Sequence, residues 1–343
     1  MTKSEVVLQL TGGGREPVLA EGHGRAPSNI ALVKYWGKRD TALNLPVTSS
    51  LSVSLDHLGT TTTVAPIDGP DDIILNGLPV PPDTAFAARL RAYLDLVRPS
   101  PGRGYRVVTA NTIPTAAGLA SSASGYAALV LALDHLHGWN LAPEQLSILA
   151  RLGSGSASRS LYHGFVEWRA GERADGMDST AHRLDATWPD LAIGLVKIST
   201  AEKAISSRDA MQGTVETSRL YAAWPEQVAR DLATVRAAIR DADFDTLGKT
   251  AENNALTMHA TALAAWPPTL FWKPESVAAM HRVWSLRAEG VPVYFTMDAG
   301  PNLKLIACRE TIPAIRPAFP DAEWVTPFAE ASKTGRREPA PPG

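Results

Sequence analysis

One cysteine, Cys308, stands in 343 residues, so no internal disulfide can staple this chain and its stability has to come from buried apolar surface. Long apolar runs are absent too. The best stretch, residues 126–133, is stopped by Asp134, well short of the roughly 18 to 20 residues that cross a bilayer, and reads as a core helix. Near the start, the run from Val6 to Leu10 lies between Glu5 and Arg15 and is too short for the apolar part of a secretory leader. With the lone thiol, this gives the expectation of a cytoplasmic protein. An excess of charge is also missing: 33 Lys and Arg against 35 Asp and Glu leave a formal net charge of -2. No global positive field exists to hold nucleic acid or an anionic membrane. Any anionic ligand has to be met by a local cluster.

What is present is ordinary globular material, 45% apolar, in a length that predicts two domains at about 150 residues each. Residues 1–22 are polar and Gly-rich around Gly12, Gly13 and Gly14, and residues 332–343 combine Lys333, Arg336 and Arg337 with three prolines. Both are expected to be loose termini. β-type runs at 50–55, 60–65 and 105–109 precede a helical stripe of Tyr126, Leu129, Val130, Leu133 and Leu136, which starts after Ser121 and Ser122. The pattern predicts mixed α and β structure in the first half. Helices are expected at 143–152, from a start within 153–156, and at 222–242, 244–263 and 274–289. Strands are expected at 164–168, 191–199, 291–297 and 303–308, with a domain boundary near 190, giving domains 23–190 and 191–331.

Four segments carry candidate chemistry. Pro114-Thr115-Ala116-Ala117-Gly118-Leu119-Ala120-Ser121-Ser122 is rich in small residues and runs into a helix. Small side chains let backbone N–H groups approach a phosphate, and a helix start adds unpaired donors; a capped core helix with a tight entry loop is the alternative. It is not a Walker loop, since Gly-Lys-Ser/Thr is lacking. Gly153-Ser154-Gly155-Ser156-Ala157-Ser158-Arg159 gathers hydroxyls and a guanidinium, able to grip an anionic or hydroxylated ligand or simply to cap a helix. Lys34-Tyr35-Trp36-Gly37-Lys38-Arg39 puts cations among aromatics, either a solvated edge or a site, with Gly37 expected to bend the chain. Asp298 precedes Ala-Gly-Pro, as an Asx-turn residue or as a carboxylate aimed into a cleft. His135 and His137 diverge on a helix and the other histidines lack ligand spacing, so no metal ligands are predicted.

In order along the chain, these segments resemble one family. Ala26-Pro-Ser-Asn29 through Lys34-Tyr35-Trp36-Gly37-Lys38-Arg39, Leu43-Asn44-Leu45-Pro46 with Ser49-Ser50, and the 113–122 stretch are similar to diphosphomevalonate decarboxylases of the GHMP kinase superfamily. So are 151–168, Asp175-Gly-Met-Asp178-Ser179, Ser206-Ser207-Arg208 with Met211, Met258-His259-Ala260-Thr261, Pro267-Pro268 and 294–302. The resemblance spans about residues 24–310, with Thr48 and His163 as departures from the usual pattern. It implies an α+β GHMP kinase fold: an N-terminal domain like ribosomal protein S5 domain 2, a C-terminal ferredoxin-like domain, and a site between them. It further implies ATP-dependent decarboxylation of (R)-5-diphosphomevalonate to isopentenyl diphosphate in isoprenoid biosynthesis, with ATP and Mg2+, by a homodimer. Relatives acting on 5-monophosphomevalonate, or only phosphorylating a mevalonate-type hydroxyl, are the alternatives. Carried over residue by residue, the resemblance implies catalytic roles for Asp298, Lys34 and Arg159. Substrate binding falls to Tyr35, Lys38, Ser154, Ser156, Arg159, Ser207, Arg208 and Met211. ATP binding falls to Gly118, Leu119, Ala120, Ser121 and Ser122.

Overall fold

A computed structural model describes residues 1–13, 16–100, 102–112, 121–201 and 205–328. Helix α1 (Lys3–Thr11) leads into the first half: β1 (Gly22–Val33), β2 (Lys38–Asp40), β3 (Leu45–Pro46), β4 (Ser50–Asp68), β5 (Asp72–Leu75), β6 (Leu78–Pro79), α2 (Ala85–Leu94), β7 (Arg103–Asn111), α3 (Ser121–His137), α4 (Pro143–Gly153), a 3-10 turn (Gly155–Leu161), β8 (Phe165–Trp168) and β9 (Ala181–Arg183). The second half runs β10 (Leu191–Val196), α5 (Ser207–Thr217), a 3-10 turn (Arg219–Ala223), α6 (Trp224–Asp241), α7 (Phe244–Leu263), α8 (Pro274–Ala288), β11 (Val293–Met297), β12 (Leu303–Cys308), a short turn with α9 (Ile312–Ile315), and β13 (Glu323–Val325).

The strands sort into two main sheets. Seven form a mixed sheet ordered β6-β5-β7-β4-β8-β9, with β1 paired antiparallel to β4. Four form an antiparallel sheet ordered β11-β12-β10-β13. One buried cluster crosses between them: Ile30, Leu32, Leu51 and Val53 of the first sheet pack with Leu191, Ile193 and Ile306 of the second and with Val228, Leu232 and Met258 of α6 and α7. The apolar faces of both halves therefore bury against the same pair of helices, and the lip of that junction is where the chemistry-bearing residues meet.

Local sequence explains the ends of these elements. Pro143 opens α4, where the Ala142 backbone N–H donates to Gln145 Oε1 at 2.9 Å, and Asp243 caps α7 by accepting from Thr246 N at 3.0 Å. The 50–55 and 60–65 runs are one continuous strand of 19 residues rather than two, because its first part pairs with β8 and its second with β7. Residues 1–22 are not uniformly loose. Thr2 and Glu5 make a capping box on α1, with the Thr2 N–H donating to Glu5 Oε2 at 2.7 Å, and Val6 and Val7 are at most 2% exposed. A nine-residue helix is marginal alone and is stabilised by such docking. Residues 329–343, which include the expected tail, lie outside the described residues. No helix among the described residues is long and apolar enough to cross a membrane.

Candidate active site

Strand β1 ends at Val33, and the following residues leave the sheet. Lys34, 2% exposed, is fixed at its backbone N–H by Asn254 Oδ1 of α7 (2.8 Å), and the Asn254 amide in turn donates to Asp231 of α6 (2.7 Å). Its ammonium donates to the Ala31 carbonyl (2.9 Å) and to Asp298 Oδ1 (2.9 Å). Lys304 of β12, equally buried, stands 3.2 Å from the other oxygen, Oδ2. Both carboxylate oxygens are thus engaged by cations, and it is the backbone carbonyl of Asp298 that accepts from Gly300 N (2.7 Å). The side chain does not make the Asx turn. Burial alone would raise the Asp298 pKa, but Lys34 and Lys304 outweigh it and hold the group far below the usual carboxylate range. Burial lowers Lys34 to about 8, against the pull of Asp298. His259 is buried against Phe271 and Trp272; burial, with Lys34 beside it, lowers it to about 3, so the ring is neutral.

Arg159 lies on the Gly155–Leu161 turn, 2% exposed. Its Nε donates to Ser52 Oγ (3.1 Å) and its Nη1 to Ser50 Oγ, so the Ser-rich start of β4 orients the fork. Burial lowers its pKa to about 10, still charged at neutral pH. Ser154 and Ser156 share a hydrogen bond at 3.3 Å (Oγ to Oγ), and Ser154 Oγ lies 3.5 Å from Ser122 Oγ at the start of α3. Gly155 is required between them: a Cβ there would come within 2.7 Å of the Tyr35 ring.

The expected bend at Gly37 is present, with φ at +107°. It lets the aromatic segment turn so that Lys34 faces Asp298 while Lys38 starts β2 and donates to Asn44 Oδ1 at 2.7 Å. Tyr221 and Trp224 anchor the bend by donating to the Trp36 carbonyl at 3.0 and 2.9 Å. Tyr35 stacks edge-on against Trp168, and its hydroxyl is buried without a hydrogen-bond partner among the described residues. Helix α5, capped by Ser206, brings Ser207, Arg208 and the buried Met211 to the same wall. One cleft of about 520 Å³ is lined by all of these: Lys34, Tyr35, Lys38, Ser122, Ser154, Ser156, Arg159, Ser207, Arg208, Met211 and Asp298.

Of the phosphate-loop expectations, Gly118, Leu119 and Ala120 lie outside the described residues, and Ser121 is placed only as the first residue of α3. Ser122 is exposed in the cleft. Next to it opens a smaller pocket of about 230 Å³, lined by Leu75, Phe86, Val107, Tyr126 and Leu129 and sharing Arg89, Ser122 and Tyr126 with the main cleft. Among the described residues no group of three or more His, Cys, Asp or Glu could hold a metal ion. Sequence reasoning missed Lys304, Asn254 and Asp231. Lys304 had a readable signal, a lone charge inside the apolar strand Leu303–Cys308.

Comparison with known proteins identifies the family. Residues 26–181 match the model of the diphosphomevalonate decarboxylase-like N-terminal domain, and 193–335 that of the mevalonate 5-diphosphate decarboxylase C-terminal domain. The chain belongs to the diphosphomevalonate decarboxylase family. A family member from Aspergillus fumigatus, diphosphomevalonate decarboxylase mvd1, is 42% identical over 299 residues, covering 81% of this chain and 74% of that protein. The mevalonate diphosphate decarboxylase from Enterococcus faecalis, solved in work on mevalonate diphosphate-mediated ATP binding, superposes with a TM-score of 0.82 at 40% identity, over 90% of this chain and 98% of that one. A structure of MDDEF in complex with MVAPP, AMPPCP and magnesium gives 0.83 at 40% identity, with the same coverage. The α+β architecture is therefore the GHMP-kinase-like fold of the diphosphomevalonate decarboxylases. The 26–181 and 193–335 matches fall on its two sheets.

Proposed function

We propose that this chain is an ATP-dependent diphosphomevalonate decarboxylase, converting (R)-5-diphosphomevalonate to isopentenyl diphosphate, ADP, phosphate and carbon dioxide in the mevalonate pathway. The observation that carries the reading is the cleft itself, which brings a carboxylate held by two buried lysines together with two sets of anion-binding groups. One set, Arg159 with Ser154 and Ser156, suits the carboxylate and hydroxyl end of a mevalonyl group. The other, Lys38 and Arg208 with Tyr35 and Ser207, suits a diphosphate, and the unpartnered Tyr35 hydroxyl supplies a donor for one of its oxygens. Met211 packs against the carbon chain between them. ATP enters from the α3 side, its phosphates at Ser121 and Ser122 and its base in the adjoining apolar pocket.

A tertiary alkoxide or hydroxide is a poor leaving group, so the C3 hydroxyl is phosphorylated first. Asp298 takes or orients its proton as the oxygen attacks the terminal phosphorus and the bond to ADP breaks. Phosphate then departs from C3 with its bonding pair, and the pair of the C2–carboxylate bond forms the new double bond as carbon dioxide leaves. Lys34 neutralises charge on the transferred and departing phosphate, and Arg159 holds the carboxylate in line for its loss. Magnesium would fit this donor set as a hard cation that the Ser122 hydroxyl in the cleft could help to hold, since among the described residues no group of three or more His, Cys, Asp or Glu offers a cage. It supplies charge neutralisation at the phosphate oxygens.

The homodimeric state and cytoplasmic location form part of the proposal; size-exclusion chromatography with light scattering tests the former. Incubating the purified protein with ATP, Mg2+ and either 5-diphosphomevalonate or 5-monophosphomevalonate, while following ADP and carbon dioxide, tests the reaction. Both products should appear in equal amounts with the diphosphate. ADP without carbon dioxide would make the protein a kinase, and preference for the monophosphate would make it the other decarboxylase.

A further inference from the structure

Helix α1 lies before the matched family domains, the first of which begins at residue 26, and nothing in the reaction above uses it. It nonetheless packs directly behind Asn44, which lines the cleft, without lining it itself. Val6 and Val7 belong to the same core cluster as Leu43, Leu45 and Leu152. Lys3, half-buried at the first turn, donates from Nζ to the Leu152 carbonyl at 2.9 Å. That carbonyl also accepts from Asn44 Nδ2 at 3.2 Å, and Asn44 Oδ1 receives Lys38 Nζ at 2.7 Å. Lys3 and Lys38 are tied together through one carbonyl and one amide, and Arg208 faces both.

No carboxylate answers these three charges: among the described residues none of Lys3, Lys38 and Arg208 forms an ion pair, and the nearby Asp209 accepts from its own helix cap, Ser206 Oγ, at 2.6 Å. The cations repel one another. Burial, then Arg208 and Lys3, lower Lys38 to about 8, and burial, then Arg208, lower Lys3. Gathering like charges costs folding energy, and a multiply charged anion relieves it. We propose that Lys3 is the third cation of the diphosphate subsite, standing behind Lys38 and Arg208 and favouring a substrate with two phosphates over one with a single phosphate. The proposal rests on the reading that Lys38 and Arg208 hold the diphosphate. Lys3 does not line the cleft, so it acts through its charge and through the placement of Lys38.

The test compares Lys3→Met, Lys3→Arg and Lys38→Met in the full-length protein, with KM and kcat measured for 5-diphosphomevalonate and KM for ATP at low and at physiological salt. A partly screened charge of this kind changes binding by up to about fivefold. Lys3→Met should raise the KM for 5-diphosphomevalonate by about that factor, more at low salt, with the effect on KM rather than kcat or the ATP KM, while Lys3→Arg restores most of it. A Val6→Ala variant, which loosens α1 without removing charge, separates packing from electrostatics: it should lower Tm and leave the salt dependence intact. If Lys38→Met raises the KM and Lys3→Met does not, or if Lys3→Arg fails to rescue, the role of Lys3 is overturned. If Lys38→Met itself leaves the KM unchanged, the placement of the diphosphate falls first.

Discussion

The Lys34 ammonium lies 2.9 Å from Asp298 Oδ1, across a separation of 264 residues. That pair joins the end of the first sheet to the turn that follows β11, and it decides the chemical state of the proposed base. Asp298 is ionised throughout the working pH range, so it needs no raised pKa to be ready; its task is orientation. Asp298→Asn keeps size and hydrogen bonding but removes the proton acceptor, and turnover should fall on the order of a hundredfold or more. The KM for 5-diphosphomevalonate should change far less. Near-normal turnover in a folded Asp298→Asn protein would overturn the assignment.

The lysine of that pair sets the alkaline limit. Lys34 is pushed down to about 8 by burial, so it carries its charge below that pH and loses it as pH rises through it. Asp298, Lys304 and Arg159 face it, and His259 is neutral. Turnover should therefore decline above about pH 8, and Lys34→Arg, whose guanidinium stays charged, should move the limb upward if the variant retains activity. Lys38, also near 8, is proposed to act at the diphosphate end, so its loss of charge should appear in KM instead. A kcat that stays flat across this range would show that the Lys34 charge is not needed.

Much of this site was legible because its residues lie in short segments with distinctive neighbours. Lys34, Lys38, Arg159 and Asp298 were each named from the chain, and the structure brings all four to one cleft. The helices with strong apolar stripes, such as α6 and α7, also fell near their expected limits. Asn254 and Asp231 were not named, since their importance exists only after α7 and α6 converge on Lys34, and Lys304, though a lone charge in an apolar strand, gains its partner only when β12 reaches Asp298. Helix α1 was hidden by the glycines that follow it. Its capping box and its pair of valines were present, but their value depends on a surface supplied by residues 43–45 and α4.

Gly37 links packing to binding. Its φ of +107° is costly for any L side chain, and a Cβ would fall 1.6 Å from the Tyr221 hydroxyl. Gly37→Ala should lose more than about 1 kcal/mol of stability, visible as a lowered Tm. Because Lys38 follows directly, the KM for the diphosphate substrate should rise as well. An unchanged Tm together with an unchanged KM would mean that the bend tolerates displacement.

Arg208 and Arg159 should fail in different ways. Arg208 is exposed on the first turn of α5 and faces Lys38, at the end given to the diphosphate. Arg159 is 2% exposed and oriented by Ser50 and Ser52, at the end proposed for the reacting carbons. A contact made equally in the ground and transition states shows in KM, whereas a group that aligns the reacting centre shows in kcat. Arg208→Ala should thus raise the KM for 5-diphosphomevalonate more than it lowers turnover. Arg159→Ala should chiefly lower turnover, and because its removal leaves the hydroxyls of Ser50 and Ser52 without their buried partner, it should also lower Tm. Steady-state kinetics on the two variants, with thermal unfolding to confirm that each is folded, distinguishes the cases. If Arg208→Ala leaves the KM untouched, or Arg159→Ala changes only the KM, the two ends of the substrate are assigned the wrong way round.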